Sequence, residues 1–195
     1  MIFMVMKKIK LTESDLYRIV RKVLLEQEEE KRSFTFSPGA FASFITSSSG
    51  ERFVKHLNNK YDEIVVNGHL DLSETQIQSL PDNLKVGGSL WLNGTPIQSL
   101  PDNLHVGGSL YLRGTPIQSL PDNLDVKGLL DLRGTPIQSL PDNLRVGGSL
   151  WLNGTPIQSL PDNLRTGLEI DIINTPLSKN DELVANYRKK YIIVK

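Results

Sequence analysis

The chain of 195 residues contains no cysteine, which removes disulfide frameworks, thiolate nucleophiles and Cys-ligated zinc. Zero cysteine also fits a reducing compartment. Histidine is scarce: His56, His69 and His105 are the full set, and no two have metal-pair spacing. No glycine-rich phosphate loop leads into a helix. Long apolar runs are missing too. Met1-Ile2-Phe3-Met4-Val5-Met6 is far shorter than the roughly 20 residues that span a bilayer, and no apolar signal region follows it. Neither a membrane span nor export by a signal peptide is expected, and Met6 before Lys7-Lys8 is an alternative initiator. An excess of either charge is absent as well, since 22 basic residues balance 22 acidic ones. The balance is uneven along the chain. Residues 61–175 carry six Lys/Arg against thirteen Asp/Glu. Nucleic-acid binding needs a continuous basic surface, so it is not expected of this acidic stretch.

What is present is repetition. The unit LPDNLKVGGSLWLNGTPIQS recurs every twenty residues, without insertion or deletion, over 61–179. Apolar columns run through Ile64, Leu84, Leu104, Leu124, Leu144 and Leu164, then from Leu70 to Ile170 and from Leu72 to Ile172. Threonine recurs from Thr75 to Thr175. Units this short cannot bury an apolar face alone, so they stack into a solenoid around one continuous core. In Ser89-Leu90-Trp91-Leu92-Asn93 the period is two: Leu90 and Leu92 point inward, while Ser89, Trp91 and Asn93 point to solvent. Pro96 and its equivalents end the strand near Thr95. Leu100-Pro101-Asp102-Asn103 is a turn, with Asp and Asn placed to bond their own backbone. Gly107-Gly108 is expected to take positive φ before the next strand. Reading Val86-Gly87-Gly88-Ser89 as a hairpin turn is the rival, and strict twenty-residue spacing favours coils.

Started at Leu90, the unit reads L-x-L-x-x-T-x-I-x-x-L-P-x-x-L and resembles the leucine-rich repeat of the short bacterial type. The resemblance covers about 120 residues in six repeats. It implies a short parallel sheet on one face and irregular, helix-poor turns on the other, and it carries a prior for binding proteins. One departure stands out. The family usually has Asn where this chain has Thr95 and its equivalents, and a hydroxyl satisfies fewer partners than an amide.

Four segments are expected: an amphipathic helix or leader over 1–32, a linker and N-terminal cap over 33–60, the solenoid over 61–179 and a C-terminal cap over 180–195. Leu16, Ile19, Val20, Val23 and Leu24 give the leader helix its apolar stripe over 13–31. Residues 33–50 read as a linker or irregular lid, yet five of six Phe lie between Phe34 and Phe53, so some cover the first coil. A helix near Glu51–Asn59 is expected to turn Phe53, Val54 and Leu57 to that coil. Asn180–Lys190 reads as helical, and Tyr191-Ile192-Ile193-Val194 as a last strand on the open edge.

Against so regular a frame, the columns that vary are informative. One is Asp71, Trp91, Tyr111, Asp131, Trp151 and Asp171; its neighbour is Ser73, Asn93, Arg113, Arg133, Asn153 and Ile173. Both point outward on the sheet. A third column, Val65, Lys85, His105, Asp125, Arg145 and Arg165, is placed on a turn. Trp91, Tyr111 and Trp151 beside Arg113 and Arg133, with Asn93, Asp131 and Asn153, form the candidate binding face, since aromatics and Arg dominate binding hot spots. The alternative is packing along the sheet, with aromatics shielding one another beneath Arg. The row Asp82, Asp102, Asp122, Asp142 and Asp162 offers one carboxylate per coil, which suits a turn better than calcium. Asp71 and Asp131 lie three coils apart, about 14 Å, too far for a glycosidase pair.

The expected function is therefore a non-enzymatic protein-binding or scaffold module, without cofactor or metal. The alternatives are a carbohydrate-binding module using the aromatics as platforms, and a purely structural assembly subunit. The leader also resembles those of tailed-phage head proteins trimmed after Leu-x-Glu, a pattern met at Leu24-Leu25-Glu26. The location implied is cytoplasmic or virion-associated. The leader is therefore either cut after Glu26 or kept as a docking element, and intact-mass measurement on material from the native source decides: loss of residues 1–26 would show the processing, and a full-length chain there would exclude it.

Overall fold

The computed structural model describes residues 33–195 other than Asn123, so the leader helix and Leu24-Leu25-Glu26 lie outside the described residues. The rest is a parallel β-solenoid of six coils. Each coil gives one short strand to each of two seven-stranded sheets. The first sheet runs β1 (Ser33–Phe36), β2 (Glu63–Val66), β4 (Leu84–Val86), β6 (His105–Val106), β8 (Asp125–Val126), β10 (Arg145–Val146) and β12 (Arg165–Thr166). The second runs β3 (Leu70–Asp71), β5 (Leu90–Trp91), β7 (Leu110–Tyr111), β9 (Leu130–Asp131), β11 (Leu150–Trp151), β13 (Glu169–Asp171) and β14 (Ile192–Val194). Every pairing is parallel, and between successive coils each strand residue stacks on its equivalent twenty positions away, as in Leu90 on Leu110 and Trp91 on Tyr111. Parallel pairing rules out the hairpin.

The placement of the third column on a turn is corrected by this arrangement. Val65, Lys85, His105, Asp125, Arg145 and Arg165 lie on the strands of the first sheet and not on a turn. Leu84 and Val86 are buried on either side of exposed Lys85, which is the alternation of a half-buried strand. The pattern was short, and Gly-Gly follows it at once; this masked the strand. Both sheets bury their apolar columns in one core, where Leu110, Leu112, Ile117 and Val106 are all 0% exposed.

Two glycine columns do different work. Positive φ falls on Gly94, Gly114, Gly134 and Gly154, at 66 to 72°, in the turn after the second sheet. Gly107-Gly108 does not adopt it, contrary to expectation. Glycine is needed there for proximity: a Cβ on Gly107 would lie 2.4 Å from the Gly87 carbonyl oxygen of the coil below. Lys127 occupies the same column and shows the consequence. Its N–H reaches the Val106 carbonyl at 3.4 Å, where Gly87, Gly107, Gly147 and Gly167 make the equivalent bond at 2.8 to 2.9 Å.

Threonine closes each turn within its own coil, the Thr95 hydroxyl donating to the Leu92 carbonyl at 2.8 Å and Thr115 to Leu112 likewise. These hydroxyls are buried and satisfied without bonding a neighbouring coil. At the next turn the Leu104 N–H donates to the Pro101 carbonyl. Serines 89 and 109, expected to face solvent freely, are half-buried and link coils. The Ser109 N–H donates to Ser89 Oγ, and the Leu129 N–H to Ser109 Oγ, both at 3.0 Å. Leu129 interrupts this serine ladder.

The ends are closed by different devices. Where composition suggested a linker, β1 adds a strand to the first sheet, and α1 (Pro38–Ile45) and α2 (Gly50–Lys60) follow. Pro38 opens α1 behind Ser37, whose Oγ accepts from the Ala40 N–H at 3.4 Å. Phe41, Ile45, Val54 and Leu57 are buried. Phe36 meets Phe41, Phe44 and Phe53 at ring-centre distances of 5.5, 6.3 and 6.0 Å. At the far end α3 (Asp181–Tyr187) starts on Asn180, whose Oδ1 accepts from Leu183 N–H. Val184 is buried and β14 pairs β13.

Leu112→Ala at mid-solenoid is expected to lower unfolding free energy by about 2–5 kcal/mol in a denaturant titration. Gly107→Ala should cost about 1–3 kcal/mol through overpacking against backbone. A loss under about half a kcal/mol for both would contradict the coil spacing described.

Candidate functional site

The second sheet presents its outward row in the order Asp71, Trp91, Tyr111, Asp131, Trp151, Asp171. Trp91 and Tyr111 stand on adjacent strands with rings 5.4 Å apart and 2° from parallel. His69 lies against the Trp91 ring from the first-coil side, at 5.7 Å. One face of Trp91 is thus covered by Tyr111, and His69 meets the ring at a tilt of 52°. Such stacking along a sheet stabilises the aromatics wherever a partner docks.

Asp131 is 1% exposed although it sits on the outward side. A buried carboxylate needs compensation, and Arg133 supplies it. Its Nε and Nη2 donate to the two Asp131 oxygens at 2.8 and 2.6 Å, and its backbone N–H donates to Oδ1 at 3.1 Å. The same guanidinium lies 4.4 Å from the centre of the Trp151 ring. Its pKa is raised from an already high ordinary value, first by the hydrogen bond to Asp131 and partly offset by burial. Asp131, Arg133 and Trp151 form one packed group.

Asn93 is likewise occupied, its Oδ1 accepting the Arg113 N–H of the next coil at 3.1 Å. Asn153 is half-buried in the same column, where the Ile173 N–H is taken instead by Asp171 at 2.9 Å. Arg113 differs from its neighbour. It is exposed, and among the described residues its guanidinium has no ion pair. Of the eight residues singled out from the sequence, the structure brings Trp91, Tyr111 and Arg113 together on one half of the row and Asp131, Arg133 and Trp151 on the other. His69 and the serine ladder were missed. A histidine in the column of Ser89 was the available signal for the first, and a serine repeated at twenty-residue spacing for the second.

Among the described residues no group of three His, Asp or Glu side chains is placed to hold a metal, and no helix is long and apolar enough to cross a membrane. A groove of about 330 Å³ lies between the N-terminal helices and the first coil, lined by Ile45, Ser47, Val54, Gln76 and Ile77 among others. In comparisons with known proteins, the chain matches no family model, no curated protein and no solved structure.

A double-mutant cycle on Asp131→Asn and Arg133→Gln is expected to give a coupling of about 1–3 kcal/mol, because the carboxylate is buried. The exposed Asp125–Lys127 pair should give about 0–1 kcal/mol. Equal couplings would mean that Asp131 is solvated in solution.

Proposed function

We propose that the chain is a non-enzymatic, leucine-rich-repeat-like module that binds another protein through the outward face of its second sheet. The observation that carries this reading is the contrast between two adjacent arginines. Arg133 is held by Asp131 and Trp151, whereas Arg113 stands exposed beside the Trp91–Tyr111 stack with no carboxylate of its own. An exposed guanidinium flanked by aromatic edges on a rigid sheet suits a partner that brings a carboxylate and apolar groups. Rigidity of the frame keeps the ordering cost of binding low.

The occupied ring faces weigh against the carbohydrate alternative. A sugar stacks on the face of an aromatic ring, and Trp91 has one face against Tyr111 and a tilted contact with His69. Trp151 has one face under Arg133. The proposal extends to a virion- or phage-associated setting, supported by the short repeat type and the leader resemblance.

Protein immobilised and exposed to lysate of its source is expected to retain a protein partner, more weakly as salt rises. Arg113→Glu should abolish retention while leaving the melting temperature unchanged. Retention indifferent to Arg113→Glu and to Trp91→Ala would exclude this face. Salt-insensitive binding to an uncharged glycan would transfer the reading to carbohydrate.

A further inference from the structure

The first sheet carries a second feature, unconnected with the face just described. Its outward row is Val65, Lys85, His105, Asp125, Arg145 and Arg165. Earlier in the row Lys85 pairs with Glu63, and Asp125, which stands opposite Arg145 on β8, is taken by Lys127 of the adjacent glycine column at 2.6 Å. Arg145 and Arg165 differ. They occupy paired positions on β10 and β12, about 4.8 Å apart by strand spacing, and among the described residues neither has an ion pair. Like charges opposed on neighbouring strands destabilise a sheet.

The C-terminal cap brings a third cation to the same place. Beyond the last coil no further coil follows, and side chains of the cap meet the carbonyls of Leu160, Asp162 and Leu164. Tyr187 Oη donates to the Leu160 carbonyl at 3.1 Å, Tyr191 Oη donates to that of Leu164 at 2.9 Å, and Lys190 Nζ donates to that of Asp162. Lys190 also lies 5.1 Å from the Tyr191 ring centre. Its ammonium is therefore fixed on the wall of a cavity of about 450 Å³, lined by Asn143, Arg145, Asp162, Asn163, Leu164, Arg165 and Lys190.

We propose that this cavity binds a phosphate dianion, free or as the phosphoryl group of a small monoester. Three cations and the single carboxylate of Asp162 leave two net positive charges in the lining, which match a group carrying about −1.5 to −2 at neutral pH. The two guanidinium forks offer bidentate donors to tetrahedral oxygens, and Asn143 and Asn163 add amide donors. The cavity exceeds a bare phosphate in volume and lies within the range of small-molecule sites, so it has room for an organic part. A phosphate bridging Arg145 and Arg165 removes their mutual repulsion and adds charge-assisted hydrogen bonds at once.

NMR titration of the full chain at constant ionic strength tests this, with inorganic phosphate and glycerol phosphate as separate probes. Saturable shifts at Arg145, Arg165 and Lys190 are expected, and a Kd raised at least about tenfold in the doubly substituted R145Q/R165Q protein. Lys85→Gln, in the same row but distant, should leave the Kd unchanged. Tighter binding of glycerol phosphate would assign the site to a monoester, and equal binding to the free anion. The proposal is overturned if neither probe saturates, if sodium chloride reproduces the shifts, or if R145Q/R165Q stays within about twofold with its melting temperature intact.

Discussion

Everything in this molecule follows from one distance. Backbone hydrogen bonds hold successive coils about 4.8 Å apart, and each residue lies directly on its equivalent twenty positions away. A column is therefore a list of side chains that must tolerate their own kind at that spacing. Leucine and isoleucine do so by packing, and threonine by turning its hydroxyl into its own turn. At the corner between the sheets only glycine lets the backbones approach, and Lys127 lengthens its rung by about half an ångström relative to its neighbours. The same register turns repeated side chains into ladders: Ser89 and Ser109 pass hydrogen bonds from coil to coil, and Trp91 stacks on Tyr111.

A structure built on stacking has to end, and its two ends lack different things. The first sheet gains β1 before its first coil and the second gains β14 after its last, so the added strands lie at opposite ends. The N-terminal end is closed by the phenylalanine cluster around Phe36. At the C-terminal end the open first sheet offers carbonyls, and hydroxyl and ammonium donors from 187–191 meet them. One of these donors, the Lys190 ammonium, adds its charge to Arg145 and Arg165 of the repeats in the basic cavity.

The solenoid, its inward columns and the terminal strand were legible in the sequence because each rests on a long, repeated apolar period. Leu90 and Leu92 could be assigned by alternation alone, and the apolar Ile192-Ile193-Val194 by its place after a helix. The first sheet was harder to read. Its strands are two to four residues long, and Leu84-Lys85-Val86 runs directly into Gly87-Gly88, so turn chemistry obscured period-two alternation. The role of those glycines was misassigned for a related reason: sequence marks where glycine occurs, while only packing distinguishes positive φ at Gly94 from close approach at Gly107. At the candidate face, residue type showed which columns varied, but not that Asp131 would be buried under Arg133. Burial of an outward residue depends on its two flanking coils and on the column beside it, which a single unit does not reveal.

Charge placement on the strands obeys the same spacing. In the outward row of the second sheet no two charged residues are adjacent, since aromatics separate Asp71, Asp131 and Asp171. Arg113 and Arg133 are neighbours in the next column, and there Asp131 neutralises Arg133 by a bidentate bond. Aspartates do stack in every turn from Asp82 to Asp162, but those side chains are exposed, where water and salt screen them. Arg145 and Arg165 also depart from the strand pattern: adjacent and of one sign, exposed to the same screening as those aspartates, with Asp125 opposite Arg145 on β8, and lining a concavity to which the cap adds Lys190. A lattice of self-stacking columns tolerates such a pair where solvent screens it, and an anion joining the two would remove the repulsion that remains; this makes the third column, more than the aromatic row, the place where the repeat departs furthest from what its own stacking requires.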